Sequence, residues 1–317
     1  MPNIVITEQC NLNCSYCFAN SSLNNNVMNE ESFLEAISFI RRDSQIDSVG
    51  LIGGEPLLHP QIKHFIEILF SCGIAHANLF TNGLFLNEIV DVIAQFPHLK
   101  VLVNLNSPED IGEEAYLKII NNIETVCQLG FSKQLSIGVN IYKPQQNMDF
   151  LYAVLRRFPF SSVRYAVAVP DCSDLTGKAY FSKMKETALE IFKRTVELGV
   201  TPRYDCNAIP SCCWDEYEQQ ELLKIKNECD IYMRNIFNTK PKCHPVIDIF
   251  PDLTATRCFG LSNLVRVSIN DFENIAQLRS YFVSQIDEHL LSNSGTCTEC
   301  SRFQTECYGG CLQFRVT

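Results

Sequence analysis

The sequence predicts an α/β fold: a partial (β/α)6 TIM-like barrel followed by a small, cysteine-rich domain. Three observations predict it. Short β-rich runs alternate with helical patterns through roughly the first 200 residues. The alternation stops after Gly199. Ten of the 16 cysteines then follow, from Cys206 onward.

The elements can be taken in order. Residues 3–7 read as the first strand. Asn29 is a plausible N-cap, after which Phe33, Ala36, Ile37 and Ile40 fall at i, i+3, i+4 and i+7 of a helix. A strand at 48–52 precedes a second such pattern, Ile62, Phe65, Ile66 and Leu69. Strands follow at 77–81, 101–106, 135–142 and 163–169, with helices at 113–129, 147–158 and 178–198. Six βα units are too few to close an eight-stranded barrel, hence a partial one. In such folds the chemistry gathers at the C-terminal ends of the strands. The chain then divides into the barrel at 1–200, a bridging region at 201–237 and a C-terminal domain at 238–317, which carries a helix at 272–291.

Composition narrows the function. The chain is 46% hydrophobic and 20% charged, as in proteins that bury a core. No apolar run approaches the roughly 18 residues a membrane span needs, and residues 1–8 do not read as a signal peptide. A cytoplasmic protein without a membrane partner is expected. A net charge of −10 repels phosphate backbones, so no nucleic-acid partner is expected. Many thiols in a cytosolic chain suggest metal clusters. Cys72 and Cys127, in apolar helical stretches, read as buried structural residues instead.

The first constellation is Cys10-x3-Cys14-x2-Cys17, directly after the first strand. Three thiolates can bind one [4Fe–4S] cube and leave one iron open for chemistry. Zinc ribbons use paired C-x2-C motifs instead. Next, the second strand runs into Gly53-Gly54-Glu55-Pro56, the third into Thr81-Asn82-Gly83, and the fourth carries Val103-Asn104-Leu105-Asn106. This series, with Tyr16 before the third cysteine, resembles the radical S-adenosylmethionine (SAM) superfamily over at least residues 3–170. The resemblance implies a cluster on Cys10, Cys14 and Cys17, and SAM held by Tyr16, Gly53, Gly54, Glu55, Pro56, Asn82 and Asn104. Carbonyls of the glycine pair would accept from the SAM amine, Glu55 would add charge near it, and the asparagines would reach ribose or carboxylate. The implied reaction is one-electron cleavage of SAM to a 5′-deoxyadenosyl radical, which takes a hydrogen atom from a substrate.

The second constellation is Cys243 and Cys258, joined by a hairpin with a Pro251-Asp252 turn, then Cys297-x2-Cys300-x6-Cys307-x3-Cys311. It resembles the SPASM or twitch auxiliary domain, which implies one or two further [4Fe–4S] clusters; zinc is the alternative for this tail. The pattern departs from the family at three points. Leu253 stands where the family has a glycine, the middle gap is six rather than five, and no seventh cysteine follows Cys311. Cys206, Cys212, Cys213 or Cys229 is then a candidate for a missing ligand. Cys206 and Cys213 are also candidate hydrogen-atom donors, since S–H bonds are weak, and buried structural cysteines are the alternative. Phe259 after Cys258 argues against sulfatase maturation, where the resemblance would require an aspartate.

Three functions remain. The first is modification of a ribosomally made peptide by cross-linking, thioether formation or epimerisation. The second is a dehydrogenase or epimerase acting on a small, aminosugar-type molecule. The third is a non-catalytic iron–sulfur or zinc module, which would not need Gly53-Gly54-Glu55. Either enzyme would need a flavodoxin- or ferredoxin-type reductant.

Overall fold

A computed structural model describes residues 1–17, 19, 23–168, 177–204, 207, 209–229, 243–292, 297–305, 307 and 309–315. Its strands are β1 (Asn3–Thr7), β2 (Ser48–Gly53), β3 (His76–Thr81), β4 (Leu99–Asn104), β5 (Leu135–Ile141), β6 (Ser162–Val167), β7 (Thr201–Tyr204), β8 (Asp248–Ile249), β9 (Thr254–Thr256) and β10 (Val267–Ser268). Its helices are α1 (Glu30–Arg41), α2 (Ile62–Ser71), α3 (Val90–Gln95), α4 (Pro108–Ile111), α5 (Glu113–Gln128), α6 (Asp149–Arg157), α7 (Gly177–Glu197), α8 (Glu216–Cys229), α9 (Ile275–Phe282) and α10 (Glu288–Ser292).

Two units emerge. Unit one contains Met1–Asn104, Pro108–Ser136 and Pro245–Ile286; unit two contains Leu105–Ser107, Ile137–His244 and Asp287–Thr317. In unit one, β1, β2, β3 and β4 are parallel neighbours, pairing Asn3 with Gly50, Ser48 with His76 and Ala77 with Leu99. β1 is apolar at Ile4, Val5 and Ile6, all fully buried, as a parallel strand covered on both faces requires. The Asn29 side chain accepts from Ser32 N at 2.8 Å and so caps α1. Phe33 of α1 stacks on Phe65 of α2 with ring centroids 4.1 Å apart, which clamps the two crossover helices together.

The Cys243–Cys258 stretch does contain the expected hairpin, with β8 and β9 antiparallel. β8 also adds in parallel to the free side of β1, pairing Asn3 with Asp248, and β10 pairs antiparallel with β9. Leu253 has φ +62, the left-handed conformation that a glycine would adopt freely. A leucine there costs about 1–2 kcal/mol of backbone strain. The Asp252 carboxylate steadies the turn by accepting from Thr254 N at 3.0 Å and Thr254 Oγ1 at 2.6 Å.

In unit two, β5, β6 and β7 are parallel, pairing Ile137 with Val163 and Ser162 with Thr201. β7 is a strand the periodicity does not announce. It is short and contains Pro202, which lacks an N–H and suits an outer strand. The helix expected at 272–291 is divided into α9, a π-helical turn at Val283–Asp287, and α10. Among the described residues no helix is long and apolar enough to cross a membrane.

Candidate functional site

Parallel β1 to β4 bring their C-terminal ends to one edge of unit one's sheet, and the first cysteines lie there. The chain leaves β1 at the fully buried Thr7 and returns along it. Thr7 bridges antiparallel to Val27, Glu8 N donates to Asn26 O at 2.9 Å, and Met28 N donates to Ile6 O at 2.9 Å. Glu8 staples the neck of this loop. Its carboxylate accepts from Asn24 Nδ2 at 2.9 Å and Asn26 Nδ2 at 2.7 Å, and Arg266 lies 3.6 Å from its other oxygen. Within the loop, Cys17 N donates to Cys14 O at 3.0 Å, so the second and third cysteines share one turn.

The Cys10, Cys14 and Cys17 thiols are half-buried and feel one another's charge. Burial pushes Cys10 up, with Glu55 and Cys17 adding to it. Burial, then Cys17 and Cys10, push Cys14 up to about 11. Alone, the Cys10 and Cys14 thiols stay protonated. A cationic metal core reverses that balance and deprotonates coordinating thiols. The donor set therefore fits an iron–sulfur cluster.

The glycine pair explains how the loop is held. A Cβ on Gly53 would lie 2.2 Å from Thr7 O. One on Gly54 would lie 2.2 Å from Gln9 O and 3.0 Å from Cys10 Cβ. Only glycines let β2 run this close to the cysteine loop. Gly54 N then donates to Thr7 O at 3.0 Å, and Glu55 N to Gln9 O at 2.7 Å.

Glu55 is 1% exposed, and its carboxylate ties β2 to β3. It accepts from Leu57 N at 3.0 Å, Thr81 Oγ1 at 2.6 Å and Asn82 N at 2.6 Å. Burial nevertheless pushes its pKa up to about 7, against these hydrogen bonds. A raised carboxylate pKa means the folded state binds more protons than the unfolded state between the two values, so stability falls as pH rises. From about pH 5 to about pH 7, wild type should lose roughly 1 kcal/mol per pH unit relative to Glu55→Gln. Urea unfolding of both proteins across that range checks this; parallel pH profiles would refute it.

The other sequence-nominated residues frame the same loop. Asn82, 9% exposed, donates from Nδ2 to Asn11 Oδ1 at 2.8 Å and accepts from Leu84 N at 3.0 Å. Asn104 Nδ2 donates to Tyr16 Oη at 3.3 Å. Pro56 is buried and opens the short 3-10 turn Pro56–Leu58, which Glu55 caps. The sequence reading did not single out Glu8, Asn11 or Thr81, which join these pieces. Their only sequence signal is adjacency to the cysteine and Asn-Gly motifs.

The later cysteines divide between the units. Cys258, in unit one, ends the β9 stretch, and its carbonyl accepts from Leu261 N at 2.9 Å. In unit two, Cys300 N donates to Cys297 O at 3.0 Å, and Gly309 N donates to Cys307 Sγ at 3.3 Å. Burial pushes Cys307 up, as do Cys212, Cys297 and Cys300. Cys243 and Cys311 are half-buried in the same unit. Cys213 is 6% exposed, and its Sγ lies 3.8 Å from Lys178 O. A hydrogen bond from Cys213 to Cys212 keeps Cys213 a thiol and favours thiolate at Cys212. Cys206 lies outside the described residues, as does the Cys229 side chain. Among the described residues, no three His, Cys, Asp or Glu side chains converge closely enough to hold a single metal ion.

Comparison with known proteins agrees with this geometry. Residues 4–151 match the radical SAM superfamily. A GTP 3',8-cyclase from Campylobacter fetus is 27% identical over 145 residues, 42% of this chain and 44% of that protein. A probable GTP 3',8-cyclase from Methanococcus aeolicus is 30% identical over 145 residues, 44% of this chain and 47% of that protein. The chain thus spans less than half the length of these curated relatives. Solved structures extend the likeness of fold. Streptococcus suis SuiB bound to S-adenosylmethionine superposes with a TM-score of 0.66, at 14% identity, over 98% of this chain and 72% of that one. Native anSMEcpe with bound AdoMet and Kp18Cys peptide gives 0.69, at 15% identity, over 98% and 89%. Residues 4–151 of this partial-barrel chain therefore match a superfamily whose cofactors are a [4Fe–4S] cluster and SAM, the radical SAM superfamily, and a cysteine-rich C-terminal region follows them.

Proposed function

We propose that this chain is a cytoplasmic radical SAM enzyme that modifies a ribosomally made peptide by cross-linking, thioether formation or epimerisation. The observation that carries the enzymatic part is the loop of Cys10, Cys14 and Cys17 held against Gly53-Gly54-Glu55 by two backbone hydrogen bonds. A peptide substrate is favoured by the fold shared with SuiB, solved with its precursor peptide SuiA, and with anSMEcpe, solved with a peptide. Residues 1–200 form the radical SAM barrel, 201–237 the bridge and 238–317 the auxiliary region. A flavodoxin- or ferredoxin-type protein serves as reductant.

The chain's own residues supply position and a shielded edge. Cys10, Cys14 and Cys17 hold the cluster, which with SAM supplies one electron and a hydrogen-abstracting radical. The Gly53 and Gly54 carbonyls, Glu55, Asn82 and Asn104 bind the polar groups of SAM, and Tyr16 and Pro56 line that edge. Glu55 also fixes Asn82 through the Asn82 N–H. Cys243, Cys258, Cys297, Cys300, Cys307 and Cys311 bind one or two auxiliary clusters. Cys213, or Cys206, returns a hydrogen atom if the reaction is an epimerisation.

A second reading, a small-molecule substrate, is favoured by the GTP 3',8-cyclases among the curated relatives. Anaerobic incubation with SAM, reductant and peptides encoded beside the gene tests the first. Peptide-dependent 5′-deoxyadenosine and a mass change in one peptide are expected. Consumption of GTP or a sugar, with every peptide unchanged, would favour the second reading instead.

A further inference from the structure

Unit two contains a thiol group that the spacing of the C-terminal motif does not include. α7 is the platform that assembles it. In its first turn, Lys178 O is 3.8 Å from Cys213 Sγ, which anchors the turn Ser211–Cys213. One turn further on, Phe181 packs on Phe314 with ring centroids 5.2 Å apart, and Tyr180 on Phe314 at 5.4 Å. That anchors the end of the C-terminal cysteine loop.

The two anchored segments also meet directly. Gly309 and Gly310 both have positive φ, +73 and +88. A Cβ on Gly310 would stand 2.9 Å from Phe181 Cε2 and 3.5 Å from Pro210 Cγ. Pro210 lies two residues before Cys212. A Cβ on Gly309 would stand 3.2 Å from Cys297 Sγ, and Gly309 N donates to Cys307 Sγ. Cys212 is itself exposed and within electrostatic reach of Cys307, as are Cys297 and Cys300.

We propose that Cys212, from the bridging region, is the fourth protein ligand of a [4Fe–4S] cube whose other ligands are Cys297, Cys300 and Cys307. The cube takes four thiolates, each released from its proton on binding. This assignment rests on the auxiliary-cluster reading of the C-terminal region, and the experiment separates the two.

The full-length Cys10/Cys14/Cys17→Ala protein is reconstituted anaerobically, and its iron, sulfide and reduced-state EPR spectrum are measured. About four or eight irons per chain are expected to remain. Adding Cys212→Ala should lower the iron content or convert the spectrum of one cluster, and Cys212→Ser should keep the iron but shift that spectrum. Cys127→Ala should change neither. An exposed side chain such as Cys212 leaves no cavity when truncated, and circular dichroism confirms the fold. Unchanged iron and spectrum in both Cys212 variants would overturn the assignment while the auxiliary cluster stands. No iron in the parent would overturn both.

Discussion

Alanine at Cys10, Cys14 and Cys17 together is expected to abolish 5′-deoxyadenosine formation while leaving the fold intact. The loop's neck is stapled by Glu8, Asn24, Asn26 and the Thr7–Val27 bridge, none of which uses a thiol. The thiols are half-buried, so alanine leaves no deep cavity. Removing one stabilising group from an active site costs about 10²–10³ in rate. Losing the cluster's ligands removes the electron source itself, so the loss should exceed roughly a thousandfold. Chromatographic assay of 5′-deoxyadenosine with SAM and dithionite reads this, with circular dichroism as the check on folding. Retained cleavage would remove the basis for the enzymatic reading.

Gly54→Ala should cost activity on the order of 100-fold without removing a ligand. Its Cβ would need space that Gln9 O and Cys10 Cβ occupy at 2.2 and 3.0 Å. Backbone cannot swing away as a flexible side chain can. The loop must shift by about an ångström, and the 2.7 Å bond from Glu55 N to Gln9 O is lost. Overpacking of this kind costs about 1–3 kcal/mol in stability. Misplacing an active-site group by about 1 Å costs on the order of 100-fold in activity. Gly130→Ala is the control. Gly130 has φ +89 but open space around its Cα, so it should lose about 1–2 kcal/mol and keep SAM cleavage. Iron content, thermal unfolding and 5′-deoxyadenosine yield of the two variants separate the effects. Equal activity in both would show that the contact between β2 and the cysteine loop does not position the chemistry.

The alternation of β-rich and helical segments was legible because each period is local. So was the cysteine triad, whose members lie within eight residues. The reason for Gly53-Gly54 was only half legible. Their spacing marks a motif, but the atoms that exclude a side chain belong to Thr7 and Gln9, more than forty residues away. Glu55 reads from sequence as a charge for the SAM amine. The structure shows it also accepting hydrogen bonds from Leu57 N, Thr81 Oγ1 and Asn82 N, so that it ties β2 to β3. Pro202 obscured β7, and the left-handed φ of Leu253 shows why the hairpin keeps its turn without the expected glycine.

By itself, then, the sequence determined the αβ alternation, the three ligands beside the first strand and the order of the motifs, because these depend on neighbouring residues. Only the tertiary structure decided that β8 pairs with β1, that Glu8 closes the cysteine loop, and that the turn carrying Cys213 rests on α7. Each of those contacts joins residues well apart in the chain, through packing on a buried strand or on α7. Such a contact forms only when the burial of many side chains outweighs the entropy of closing the intervening loop, and no local pattern records that sum.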